Sequence, residues 1–250
     1  MGIKMNLDTK FMLETFIDVL GGVPVTLKIT IVTLLVSTPA GFMMALSRAG
    51  KGRIGRRIII AYVSLIRGTP VVLQILFLYS LLPTLLNYLI KEVLGLEYNI
   101  FRVDPILYAY IVFILNTTAV LSEVFRSALS TVNQGQMEAA LSIGMTKTQA
   151  YIRIIVPQAL VAALPNICNT TVNLLKSTSL AFMMTVRDIT AIAKIDASFG
   201  YNYLEAYLVI FVAYVLLCSA VQGIFRLAER SASSYRNGKS RQKTPVMQSC

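Results

Sequence analysis

The sequence has no histidine and no tryptophan in its 250 residues. Losing histidine removes the commonest general base and the commonest metal ligand together. Charge is scarce as well: Asp, Glu, Lys and Arg make up 14% of the chain, against about 25% in an average soluble domain. Acidic residues are the scarcest, 12 against 23 basic, for a net charge of +11. The three cysteines imply no disulfide framework, because Cys168 and Cys218 lie in apolar runs and Cys250 is the last residue. A nucleotide-binding Walker A loop is missing too. Gly238-Lys239-Ser240 has its ending but Ser233 stands where its first glycine belongs, and Gly50 to Gly55 is followed by Arg56-Arg57. With no HExxH metal motif and no GxSxG elbow, an intramembrane enzyme has little support.

What the chain has is apolar length. Hydrophobic residues make up 56% of it, and mean hydropathy is +0.67. That balance excludes both an ordinary soluble globule and an intrinsically disordered chain. Five runs reach the roughly 20 residues that a membrane helix needs: Val23–Leu46, Ile58–Leu82, Pro105–Ser127, Ile154–Lys176 and Leu204–Arg226. They lack the alternation of barrel strands, so the expected fold is an all-α integral membrane protein with five transmembrane helices. Ser179–Val186 is apolar but too short to span, and reads as a re-entrant or interfacial piece. Residues 1–19 lack the parts of a signal peptide and form a tail before the first span. The membrane domain covers 20–230, and the polar basic stretch Ser231–Cys250 is expected to be disordered. The two halves show no convincing repeat.

Charge sets the direction of the spans. The first loop carries Arg48, Lys51, Arg53, Arg56 and Arg57 without an acid. Together with Lys147, Arg153 and the C-terminal tail, this side of the membrane holds 13 basic and 2 acidic residues, and the other side holds 6 and 8. The positive-inside rule places the N-terminus outside and the C-terminus in the cytoplasm. The same asymmetry explains the basic character without nucleic acid as a partner. Tyr201 and Tyr203 fit an aromatic belt outside span five.

Charged and amide groups within the spans are candidate pathway residues, since intramembrane charge costs at least about 2.5–3.5 kcal/mol at the bilayer centre. Lys28 is placed to snorkel at the outer end of span one. Arg67 precedes Gly68 and Pro70, and serves either carbonyls freed by a bend or the pathway. Glu123 and Arg126 are spaced i, i+3 and can neutralise each other. Asn116 shares their face nearer mid-membrane, where an amide either ties helices together or meets solute. Lys176 and Glu205 are expected near the outer ends of spans four and five, paired with each other or facing a zwitterionic solute.

The polar segment Asn133–Pro157 carries the densest local signals. Asn133 with Gln136, and Thr146 with Gln149, match the spacing of capping boxes. Gly144 can end the first helix in a left-handed turn, and Pro157 fits the first turn of span four. Two short helices bent at Gly144, lying at the cytoplasmic face, follow from these signals; an ordinary connecting loop with an interfacial helix is the plainer reading.

Glu138-Ala139-Ala140, then Gly144, Ile154 and Pro157, resembles the EAA motif of ABC importer permeases with every spacing kept; Val156 replaces a leucine. Leu65–Gln74, Leu115–Leu129, Leu174–Leu180 and Tyr203–Val209 resemble the polar amino-acid branch of that family, and Ala197–Tyr207 resembles cystine-type importers. Val120 and Ser177 depart from it, standing where tyrosine and aspartate are usual. The resemblance implies a type I ABC importer permease fold, with residues about 128–153 forming cytoplasmic coupling helices. It implies a separate ATPase that binds ATP and Mg, an extracytoplasmic solute-binding protein, a second permease copy or paralogue, and a bacterial cytoplasmic membrane as the location. No cofactor is expected in this chain itself. Glu138, Ala139, Ala140, Gly144 and Pro157 would couple to the ATPase. The rival is an ion-coupled secondary transporter or channel, which would work without nucleotide.

Overall fold

The computed structural model describes residues 7–50, 53–95 and 100–241. Lys4, Lys51, Glu97 and Lys243, all used in the charge count, lie outside the described residues, as does the end of the basic tail, 242–250. Every regular element among the described residues is helical.

Helix α1 (Thr9–Val19) leads through a 3-10 turn (Leu20–Gly22) into α2 (Val23–Ala49). The stretch expected as a tail before span one is therefore helical from Thr9. Asp8 caps it by accepting from the Phe11 N–H at 2.9 Å. Its apolar side, with Phe11, Phe16 and Val19, packs against α9 and α10.

The expected span Ile58–Leu82 is two helices, α3 (Arg53–Arg67) and α4 (Val71–Tyr88). Pro70 has no N–H to continue α3, and its backbone is extended (φ −62°, ψ 136°). With the π turn Leu89–Val93, α4 forms the apolar stretch long enough to cross a membrane. Helix α3 instead lies along α2 and α5, tied by Tyr62, whose hydroxyl donates to the Leu115 carbonyl. A 3-10 turn (Ile100–Arg102) precedes α5 (Pro105–Ser130), which starts with Asp104 as cap and Pro105 in the first turn.

Then come α6 (Gln134–Ser142), α7 (Lys147–Ala150), a π turn (Tyr151–Ile155) and α8 (Val156–Ser177). Last come a 3-10 turn (Thr178–Met184), α9 (Ile189–Gly200) and α10 (Tyr203–Arg241). The stretch expected as re-entrant or interfacial is thus a 3-10 continuation of α8. Thr178, Ala181 and Met184 are fully buried there, so it is covered by protein, the setting in which irregular backbone is tolerated at membrane depth. The expected disorder from Ser231 is corrected for residues 231–241 alone, where α10 continues to Arg241; residues 242–250 lie outside the described residues.

Among the described residues, five helical stretches are long and apolar enough to cross a membrane. Helix α5 is the hub: half of its most apolar stretch is buried, against 11% for α10. It packs on α2 through Thr26, Thr30, Thr33, Ser37, Gly41 and Ala45, which recur at helical spacing and are all buried. Small residues let two backbones approach where the surroundings are as apolar as the side chains. The Ser37 hydroxyl crosses this seam and donates to the Ile114 carbonyl at 3.1 Å.

Candidate functional site

The segment resembling a coupling loop is built by its own caps. Asn133 starts α6 by accepting from the Gly135 N–H at 2.8 Å, though the reciprocal Gln136 bond of a full box is absent among the described residues. Thr146 and Gln149 form both bonds of a capping box at the start of α7. Between them Gly144 takes φ +84°. Its N–H bonds the Leu141 carbonyl and the Met145 N–H bonds the Ala140 carbonyl, the two bonds of a Schellman stop. Ala140 is buried while Glu138 and Ala139 are exposed. The first helix therefore holds on by one face and presents its carboxylate outward.

Pro157 is the second residue of α8, in its first turn as expected, but helical chain already runs into it. Helical chain begins at Lys147, ten residues earlier, and widens to a π turn just before the proline. The widening relieves the clash of the ring with the preceding turn, and the Gln158 side-chain amide donates to the Ile154 carbonyl at 2.9 Å. So only α6 is a separate short helix; the second is the opening of span four.

Glu123 and Arg126 do pair, Nε to Oε2 at 2.8 Å. The sequence reading missed a third member: Arg48 bonds the other oxygen of Glu123. Arg48 is the more buried arginine, its side chain 13% exposed against 48% for Arg126. The signal was the small-residue seam of α2, whose register passes from Gly41 and Ala45 to position 48.

Asn116 ties helices together. Its amide donates to Gln74 Oε1 at 2.9 Å, and Gln74 Nε2 donates to the Ile66 and Thr69 carbonyls at 2.7 and 3.0 Å. The Thr69 hydroxyl donates to the Leu65 carbonyl. The carbonyls at the break are thus served by Gln74 and Thr69, not by Arg67. Arg67 is exposed on the chain and makes no ion pair among the described residues.

Lys176 and Glu205 do not meet. Glu205 accepts from the Asp8 N–H at 3.4 Å, at the start of α10. Lys176 is exposed and lies within electrostatic reach of Cys218, which is 13 residues beyond Glu205 along α10, or about 20 Å at the helical rise. It is therefore deep in the bundle rather than at an outer end, because α8 does not surface at Ser177 but continues as the buried 3-10 turn. At the end of that connection Asp188 is fully buried and caps α9 through Ala191 N–H at 2.8 Å. Tyr214 donates to its other oxygen at 3.2 Å. Burial pushes the Asp188 carboxyl up to about 6.

Residues 37–234 match the family described as "Binding-protein-dependent transport system inner membrane component". The chain belongs to this family. The match runs from the middle of α2 into α10, so it takes in Arg48, the break at Gly68–Pro70, the Gly144 stop and Lys176, and leaves out α1. Family members among curated proteins include the "Probable amino-acid permease protein YxeN" of Bacillus subtilis (strain 168), 35% identical over 89% of this chain and 96% of that protein. The "L-cystine transport system permease protein TcyL" of the same organism is 33% identical over 83% of this chain and 84% of its own. Among solved structures, the "Crystal structure of an amino acid ABC transporter with histidines" superposes with a TM-score of 0.76 at 27% identity, covering 91% of this chain and 100% of that one. The chain is thus a multi-pass inner-membrane component with the permease fold.

Proposed function

We propose that the chain is the membrane-spanning permease of an ABC importer that moves a polar amino acid inward, with cystine as the first candidate. The observation that carries the reading is the helix α6, held by buried Ala140, stopped by Gly144 and presenting Glu138. An acid at a fixed place on a short, stiffly capped helix is suited to dock in a basic groove of a separate ATPase. ATP and Mg belong to that ATPase. An external binding protein delivers solute, and a second permease copy or paralogue completes the pathway. The basic end of the bundle faces the cytoplasm, with the N-terminus outside and the C-terminus inside. Amino-acid transport is what the relatives' names support, and L-cystine is named in one of them. Lys176 is the best-placed pathway residue: a lysine exposed on the chain at membrane depth needs water or an anion, and a solute carboxylate supplies one. Arg67, also exposed, faces the same requirement. Glu123, Arg126, Asn116 and Glu205 are engaged within the protein and act as structure.

The test is reconstitution with the ATPase and binding protein of the same importer and measurement of cystine uptake. Glu138→Ala should insert and fold normally yet lose most uptake. Gly144→Val should lose uptake as well, and about 1–2 kcal/mol of local stability, because its Cβ meets nothing within 4 Å and only the left-handed backbone is strained. Wild-type uptake from both variants, or ion-driven uptake by this chain without nucleotide, would overturn the proposal.

A further inference from the structure

A cavity of about 750 Å³ opens between α2, α3, α5 and the α6–α7 unit. Four cations line it: Arg48, Arg56, Arg126 and Lys147. Among the described residues Glu138 is the only acid on its wall. Two of the cations are aimed by one carboxylate, since Glu123 holds Arg48 through one oxygen and Arg126 through the other. Arg126 bonds through Nε and Arg48 through Nη1. That leaves both terminal nitrogens of Arg126, and Nη2 of Arg48, without an acceptor among the described residues. Neither Arg56 nor Lys147 has an ion-pair partner among the described residues. Counting Glu123 and Glu138, four cations face two carboxylates.

We propose that this cavity binds a phosphate oxyanion, presented by the headgroup of an anionic lipid or as free phosphate. Fixed guanidinium forks match the geometry of phosphate oxygens, and a lysine adds a mobile point charge. Ala45, Ile60 and Ile155 supply an apolar wall beside the cations, which suits the junction of a headgroup with its acyl chains. Glu138 and Met137 of α6 form another wall, so an occupant bridges the helix bundle and the helix that presents Glu138. The site shares Glu138 with the proposed docking helix, but its test needs neither ATPase nor solute, so it can fail while the transport reading stands.

The experiment uses the full chain purified in detergent. Native mass spectrometry reads retention of phosphatidylglycerol and of phosphatidylcholine, and equilibrium binding of radiolabelled inorganic phosphate is read in parallel. Arg56→Gln with Lys147→Gln removes two exposed wall cations without touching the buried pair. Arg53→Gln with Arg57→Gln removes the same charge from exposed residues of α3 that do not line the cavity. The wall variant should lower phosphatidylglycerol retention about tenfold, and the control variant roughly twofold or less. Phosphatidylcholine should be retained weakly by all forms. Phosphate binding that shows the same dependence while phosphatidylglycerol is not retained would support the oxyanion site and assign it to free phosphate. Equal losses in both variants, equal retention of phosphatidylcholine, or no binding of either phosphate form would overturn the proposal.

Discussion

The two ends of the bundle solve the same problem with different chemistry. At the basic end a carboxylate, Glu123, sits between two guanidiniums. At the other end a carboxylate, Asp188, is more deeply buried and has no cation against it among the described residues. It relies on a tyrosine hydroxyl and the first N–H groups of α9. The cation Lys194 at that end likewise leans on an aromatic face, 4.0 Å above the Phe182 ring. Ion pairing locks charge in place at one end; at the other, neutral donors leave the Asp188 carboxyl able to titrate. The locked end is where α2, α3 and α5 must hold a fixed platform for α6. The titratable end is where α8 gives way to irregular backbone between Ser177 and Asp188.

Breaking the lock should give the largest effect. Glu123→Gln leaves two arginines facing each other with no counter-charge, and removing one partner of a buried pair costs roughly 3–5 kcal/mol. Partial exposure of the site places the expected loss at the low end, about 3 kcal/mol, read as a fall in folded yield and melting temperature in detergent. A variant that melts with the wild type would show that the lock is solvated and contributes little.

This prediction also shows what was legible in the sequence. The i, i+3 spacing was enough to pair Glu123 with Arg126. Arg48 was hidden because hydropathy ends a span at its first charge and carries no register. Position 48 then counts as a loop charge, although the seam of small residues before it already points that face at α5. The break after Arg67 was hidden for the opposite reason. Its free carbonyls are satisfied inside the protein by Gln74 and Thr69, so the apolar run continues across it without a polar gap. Local signals that need no partner, the Thr146 box and the Gly144 stop, were read directly. The depth of Lys176 was not, because it depends on buried 3-10 chain that looks like any short apolar loop.

The opposite end should respond to pH instead. Asp188 is raised from its ordinary 3.8 to about 6 by burial. The folded protein therefore holds this proton more tightly than the unfolded chain. The associated stability is complete below about pH 3.8 and is lost as pH rises through about 6, amounting to about 3 kcal/mol at most. Asp188→Asn keeps the cap and the Tyr214 contact but cannot ionise, so its melting temperature should lose that slope between pH 4 and 7. A variant with the wild-type slope would place the titration elsewhere.

Between the ends, the amide bridge should give a mid-sized effect. Gln74→Leu strands the Thr69 carbonyl and the Asn116 amide, and leaves the Ile66 carbonyl only a long bond of 3.4 Å from the Thr69 hydroxyl. Unsatisfied buried groups cost about 1–3 kcal/mol, and the half-open setting of the break points to about 2. Adding Asn116→Leu to Gln74→Leu should cost less than Asn116→Leu alone, because the amide it removes is already stranded. Additive losses in thermal melting would mean that the two amides do not depend on each other.

The smallest effect should come from Arg126→Gln, and it sharpens the comparison within the lock. Arg126 is half exposed, so its pair with Glu123 falls in the range of surface pairs, about 1 kcal/mol or less. Glu123 keeps Arg48 when Arg126 is lost, so no charge is stranded. Losing Arg48 instead strands nothing on Arg126, which reaches water, but it takes the more buried partner from Glu123. Arg48→Gln should therefore cost more than Arg126→Gln. The same asymmetry decides rescue: adding Arg48→Gln to Glu123→Gln should restore more melting temperature than adding Arg126→Gln, since it neutralises the cation that water cannot reach. Equal rescue by both would mean that burial does not rank the two arginines, and the lock would be an ordinary cluster of surface charge.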